Sequence, residues 1–193
     1  MLETAFKEWA VICEALALGR QSIILRKGGI REEPGPGAFV PEHDAFWLYP
    51  TAVHQAQQGL RDPDAASASR YAPSGPVVPI GLLARVDLIG RVRDEAVLAA
   101  LEEFHVLTAE TVRSRFHYRT PGLWVLATRI WRHEPPFAIR ATPEHAGCKT
   151  WVMLDEPLST SGLTPALDDA AWSSRLARLR TILDDGHPLC IPT

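Results

Sequence analysis

Two long apolar runs, Val77–Val92 (VVPIGLLARVDLIGRV) and Leu123–Trp131 (LWVLATRIW), constrain the fold of this chain most strongly. β-branched and aromatic side chains at that density suit a pleated surface, so both runs are expected as strands. The first is expected to bend near Gly81. Between the runs, Asp94 is placed to cap a helix reaching Phe104. Thr108, with Glu110 and Thr111 in the following turn, opens a second helix ending near Phe116. Phe137–Arg140, after Pro135 and Pro136, predicts a separate weaker strand, and Lys149–Leu154 (KTWVML) another. Trp172, Leu176, Leu179 and Leu183 recur at helical spacing and predict a terminal helix over about 170–183.

Nearer the start, Phe6, Trp9, Ala10, Cys13, Leu16 and Ala17 fall at three- and four-residue steps, which predicts one amphipathic helix over Leu2–Leu18 stopped by Gly19. Ser22–Arg26 (SIILR) reads as a buried strand broken by Gly28 and Gly29. A short strand is expected over Phe46–Tyr49, after which Pro50 opens a helix carrying His54 and Gln55. Residues 56–79 are rich in Gln, Ala, Ser, Asp and Pro, a composition expected of a mobile loop. The order of elements predicts an α+β fold. With 193 residues, one core is expected, as a single domain over 1–155 followed by an extension over 156–193 that carries the terminal helix.

Three cysteines cannot frame a disulfide scaffold in a chain of this length. No apolar run approaches the roughly 20 residues a membrane helix needs, and Glu3, Glu8 and Glu14 interrupt the region where a signal peptide would be apolar. A cytoplasmic protein with no membrane association is the expectation. The formal net charge of −3 argues against a generally basic nucleic-acid coat. The charge is uneven, however: Arg113–Lys149 holds seven basic residues against two acids, and Thr150–Thr193 three against six.

Chemistry-bearing residues fall into three groups. Arg26 and Lys27 precede Gly28 and Gly29, a pairing of cations with approachable backbone that suits an anion and equally suits a tight turn. Trp47, Tyr49, Thr51, His54 and Gln55 place stacking rings beside hydrogen-bonding groups, as recognition of an unpaired base requires. Alternation along that strand turns Phe46 and Leu48 toward the core and Trp47 and Tyr49 toward a cleft. His105, Arg113, Arg115, His117 and Arg119 form a cationic run fit for phosphate contact or for solvation. Cys148 stands next to Lys149, a cation that would lower the thiol's pKa, and equally suits a buried structural cysteine. His145 and Cys148 have a metal-like spacing but no second pair to complete a zinc site, so neither a metal nor a cofactor is expected. The leading expectation is a cleft that binds nucleic acid or a modified nucleotide through Arg26, Lys27, Trp47, Tyr49, Thr51, His54 and Gln55, with Arg113, Arg115 and Lys149 on phosphates. The alternatives are a hydrolase or nuclease using His54 or His105 with Lys149 or Cys148, and a scaffold that binds a partner through its acidic tail.

The strings LRKGGIREE (Leu25–Glu33), FWLYPTAVHQ (Phe46–Gln55) and GCKTWVML (Gly147–Leu154) resemble the bacterial family designated domain of unknown function 1802, over most of residues 3–155. That resemblance implies a setting beside restriction-modification components, and hence nucleic acid. The helix ending at Gly19 and the following GRQSIILR also resemble the opening of ASCH domains. Gly19, Ser22 and Arg26 match their Gly-x-Lys-Thr-x-x-x-Arg pattern, and the segment from Arg129 through Pro135–Ile139 to Gly147 resembles the closing half of PUA-like and EVE domains. This second resemblance implies a small mixed or antiparallel PUA-like β-barrel flanked by helices that binds RNA or modified bases. The amidohydrolases among ASCH domains rely on a Lys and a Thr where this chain has Gln21 and Ile24, so the resemblance implies a binding cleft rather than that hydrolysis.

Overall fold

The computed structural model describes residues 1–27, 43–52, 59–61, 69–147 and 149–184. Its strands are β1 (Leu2–Trp9), β2 (Ile23–Arg26), β3 (Ala45–Thr51), β4 (Val77–Val92), β5 (Leu123–Arg140), β6 (Trp151–Leu158) and β7 (Thr164–Pro165). Its helices are α1 (Ala10–Ala17), α2 (Ala109–His117) and α3 (Asp169–Asp184), with 3-10 turns over Glu95–Phe104 and Pro143–His145. The α+β reading therefore holds. The expected closed barrel does not: the strands follow the order β2-β5-β4-β3-β1-β6, with β7 added against β5, and the path is open.

The long pair β4 and β5 runs in antiparallel register from Val77 opposite Arg140 to Val92 opposite Leu123. The register shifts between Ile80 and Leu82, so the bend falls at Gly81 as its position predicts. A Cβ there would stand 3.0 Å from Pro136 and 3.1 Å from the His133 carbonyl, tight enough that these neighbours would have to give by a few tenths of an ångström. The expected break of β5 at Pro135 and Pro136 is absent. Both prolines occupy the stretch between Arg132 and Phe137 where the ladder skips, and a residue without N–H is tolerated at such a bulge.

The N-terminal segment departs furthest from expectation. Leu2–Trp9 is a strand rather than the first half of a helix; only α1 is helical, and Gly19 follows it with φ +66°. Helical spacing and alternation coincide over so short a run, and two-sided pairing decides between them. β1 lies between β3, which it meets in parallel, and β6, which it meets antiparallel. Phe6 enters the main core under α1 and α3, whereas Ala5 enters a smaller cluster on the opposite face.

The same two-sided burial corrects the reading of β3. Phe46 and Leu48 belong to the main core, and Trp47 and Tyr49 do point the other way. That second face is packed with Val78, Ile80, Val152 and Leu154, and Trp47 is fully buried. Pro50 continues β3 instead of opening a helix, paired opposite Glu8.

Local capping matches its signals. Asp94 accepts a hydrogen bond from the Ala96 amide at 3.0 Å, and Thr108 from the Thr111 amide at 3.3 Å. In α3, Trp172, Leu179 and Leu183 join the main core, and the Trp172 indole donates to Asp87 at 2.8 Å.

Of the stretch over 56–79 expected as a mobile loop, the part from Ser69 onward is anchored or already strand. Residues 53–58 and 62–68 lie outside the described residues, but β4 begins at Val77 and the segment before it is anchored. Ser69 Oγ donates to the Ala10 carbonyl at 2.9 Å. Arg70 bonds Glu14 on α1 through its amide (3.0 Å) and Nε (3.2 Å), and Glu134 on β5 through Nη1 (3.0 Å). Tyr71 is fully buried, and burial pushes its hydroxyl up to about 12. That oxygen has no hydrogen-bond partner among the described residues. Tyr71→Phe therefore removes a desolvated hydroxyl at no cost in bonding, and thermal unfolding is expected to show equal or greater stability, by up to about 1 kcal/mol. A loss of more than that would reveal a partner for the hydroxyl.

Candidate functional site

Because β1 and β3 run parallel, their C-terminal ends emerge at one edge of the sheet, with Lys7 opposite Tyr49 and Trp9 opposite Thr51. β6 runs antiparallel to β1, so the turn before it arrives at the same edge, where the Lys7 amide donates to the Thr150 carbonyl at 2.9 Å. β2 ends there in Arg26. Together these chain ends enclose a cleft of about 480 Å³.

The floor is an ion pair. Glu8, 7% exposed, accepts from the Trp9 amide at 2.9 Å and from Arg26 Nη2 at 3.3 Å. Arg26 also donates to the Lys7 carbonyl and lies with its guanidinium carbon 4.3 Å from the centre of the Phe6 ring. Its Nε is buried and has no partner among the described residues. One wall carries Trp9, over which the Arg115 guanidinium stacks at 4.6 Å. Burial brings Arg115 down to about 10, with Arg26 adding repulsion and Glu8 opposing the shift. It remains a cation at neutral pH. The other wall carries Tyr49, whose hydroxyl is raised by burial and by Asp155.

His145 holds the rim. It is 3% exposed, and its Nδ1 faces the Thr142 amide at 3.3 Å, a group that can only donate. The proton therefore sits on Nε2, which donates to the Met153 carbonyl at 3.2 Å. This engagement of both nitrogens leaves no lone pair for a metal, and no cluster of three metal-ligating groups occurs among the described residues. Lys7 Nζ ties the rim to β1 by donating to the Gly147 carbonyl at 2.8 Å, and Lys149 follows on the exposed side.

Of the residues singled out from sequence, Arg26, Tyr49, Thr51 and Lys149 line this cleft. His54, Gln55 and Cys148 lie outside the described residues. Trp47 faces the second core, and its indole donates to the Leu2 carbonyl at 3.1 Å, which removes it from any stacking role in the cleft. Lys27 parts from its neighbour Arg26: its ammonium donates to the carbonyls of Phe116 (2.6 Å), Gly122 (2.9 Å) and Thr120, closing the C-terminal end of α2. A cation at that end offsets the helix dipole, so Lys27 is structural. Arg113 is exposed and pairs with Glu95 at 2.9 Å, beside a different hollow that His105 also lines. His105 is fully buried, and it and Lys149 line different hollows. Lys7, Glu8, Trp9 and His145 complete the cleft and were not expected there. The first three were assigned to a helix, and only distant pairing with β3 and β6 makes that segment a strand.

Among the described residues no helix is long and apolar enough to cross a membrane. Crystal structures of an ASCH protein from Zymomonas mobilis are similar to the chain. A serine-to-alanine variant is 16% identical, with 92% of this chain and 95% of that chain covered and a TM-score of 0.44. The unsubstituted form is 14% identical, with 92% and 94% covered and a TM-score of 0.43. No curated protein matches the chain. A family model described as "Domain of unknown function (DUF1802)" matches residues 5–178, nearly the whole length, and the chain belongs to that family.

Proposed function

We propose that the cleft at the shared end of β1, β2 and β3 binds nucleic acid or a nucleotide, holding phosphate by charge and a base between aromatic walls. The observation that carries this reading is the gathering of Lys7, Arg26 and Lys149, with Arg115 behind Trp9, around one cleft where Glu8, the one carboxylate lining it among the described residues, is already bonded to Arg26. The surplus of positive charge suits an anion. Trp9 and Tyr49 supply faces and edges for a ring, and Thr51 a hydroxyl. Arg26 serves both the fold and the ligand, so exposed Lys149 makes the cleaner test, and half-buried Lys7, which also bonds the Gly147 carbonyl, is changed with it under a check of thermal unfolding.

Lys149→Gln combined with Lys7→Gln is expected to weaken binding of fluorescently labelled single strands of every sequence. The same change should flatten the dependence of log affinity on log salt by at most about 1.4 units, since each phosphate contact on a single strand contributes about 0.7. Fluorescence anisotropy across a salt series measures both effects. If the folded wild type shows no salt-sensitive binding to single-stranded RNA, DNA or nucleotides, the proposal is wrong.

A further inference from the structure

A second hollow of about 480 Å³ lies on the far side of the Trp9–Arg115 stack, along α2. Arg115 lines it while stacking on Trp9, and Trp9 lines the first cleft. One cation therefore stands between two hollows of equal size. Ser114 and Thr111 give the second hollow hydroxyl groups, and Glu110 a carboxylate that can accept from a base amino group. At its end stands Tyr118, whose ring is 57% exposed and backed by the Arg119 guanidinium at 5.1 Å. An aromatic ring held in water has no core to serve, and a cation such as Arg115 beside an exposed ring is an arrangement by which proteins hold a single strand.

We infer that the ligand is a polymer, a single-stranded oligonucleotide that passes from the Arg26 cleft across Arg115 and stacks a further base on Tyr118. The inference rests on the proposed function and adds the substrate class, because a mononucleotide would fill only the first hollow. Arg115 then meets the phosphate that joins two bound nucleotides. Tyr118 reads no sequence and adds affinity to strands long enough to reach it.

The test compares UMP and dTMP with oligouridylate and oligothymidylate of two to about eight nucleotides, binding to the full chain and to its Tyr118→Ala variant. Tyr118 is exposed, so the variant is expected to melt as the wild type does. Affinity should rise with length in the wild type. Tyr118→Ala should reduce binding of the longest strand on the order of tenfold, leave the mononucleotide unchanged, and be rescued by Tyr118→Phe. The ribose and deoxyribose series separate RNA from DNA as the preferred strand. Mononucleotide binding without gain from length, or an equal loss at every length in Tyr118→Ala, overturns the polymer inference and leaves the first cleft standing. Absence of binding by all of these probes overturns both.

Discussion

Trp47→Ala is expected to cost the fold about 3–5 kcal/mol, the range for truncating a fully buried aromatic ring. That is a large part of the stability of an ordinary domain and should leave much of the protein unfolded at moderate urea. The ring is wholly enclosed, meets Phe137 edge to face at 5.7 Å, and donates its indole N–H to the Leu2 carbonyl. Truncation therefore opens a cavity and leaves a backbone acceptor unpaired at the start of β1. Urea unfolding measures the effect, with Trp47→Phe as the intermediate case that keeps most of the apolar volume. If Trp47→Ala retained wild-type stability and lost only ligand affinity, the ring would face the ligand and the second core described above would be wrong.

Acidification should destabilise the protein between about pH 6.5 and pH 4 through His105. Burial, followed by the positive charges of Arg61 and Arg115, lowers this imidazole from 6.5 to about 4. Neither ring nitrogen has a hydrogen-bond partner among the described residues, and the Leu107 backbone gives only a small pull toward the charged form. The unfolded chain takes up the proton near 6.5 and the folded chain only near 4. The stability held by the neutral ring is therefore complete above pH 6.5, falls as the pH drops through that window, and is lost below it. At about 1.4 kcal/mol per pH unit the loss is of the order of 3 kcal/mol. Acid acts on the whole chain, so the readout is the difference between wild type and His105→Leu in urea unfolding at pH 7 and pH 4.5. The variant should lose less stability on acidification. Parallel losses would show that the histidine is not the source.

What could be read from the sequence was whatever is decided within a few residues. Asp94 and Thr108 announce their caps because a cap is a local hydrogen bond, and Gly81 announces its bulge because a side chain there would crowd Pro136 and the His133 carbonyl. Val77–Val92 announces a strand by composition alone. β1 was illegible because Phe6, Trp9 and Cys13 satisfy a helical period, and the partners that make Leu2–Trp9 a strand lie about 40 and 150 residues away. Alternation correctly sent Trp47 to the face opposite Phe46, but it carries no information about what covers that face. The candidate site was half legible for the same reason. Arg26, Tyr49, Thr51 and Lys149 belong to recognisable strings, whereas Lys7, Glu8 and Trp9 enter the cleft only through a misread strand. Adjacency misled for Lys27, which next to Arg26 looks like part of one cationic motif until the carbonyls at the end of α2 claim it.

The placement of β1 between β3 and β6 fixes the order in which this protein becomes competent during synthesis. Leu2–Trp9 leaves the ribosome before either strand it pairs with, and its second edge stays open until Trp151–Leu158 has been made. Pairings so distant in sequence are slow to close. Both walls and the floor of the Arg26 cleft exist in the nascent chain long before the rim that His145 and Lys149 bring, so a chain halted before Lys149 carries the cations of β1 and β2 without an enclosed place to use them. Until β6 arrives, the exposed edge of β1 is also a template for pairing with another strand. Completion of the site and protection from misassembly thus both wait for the same distant segment, about 150 residues after β1.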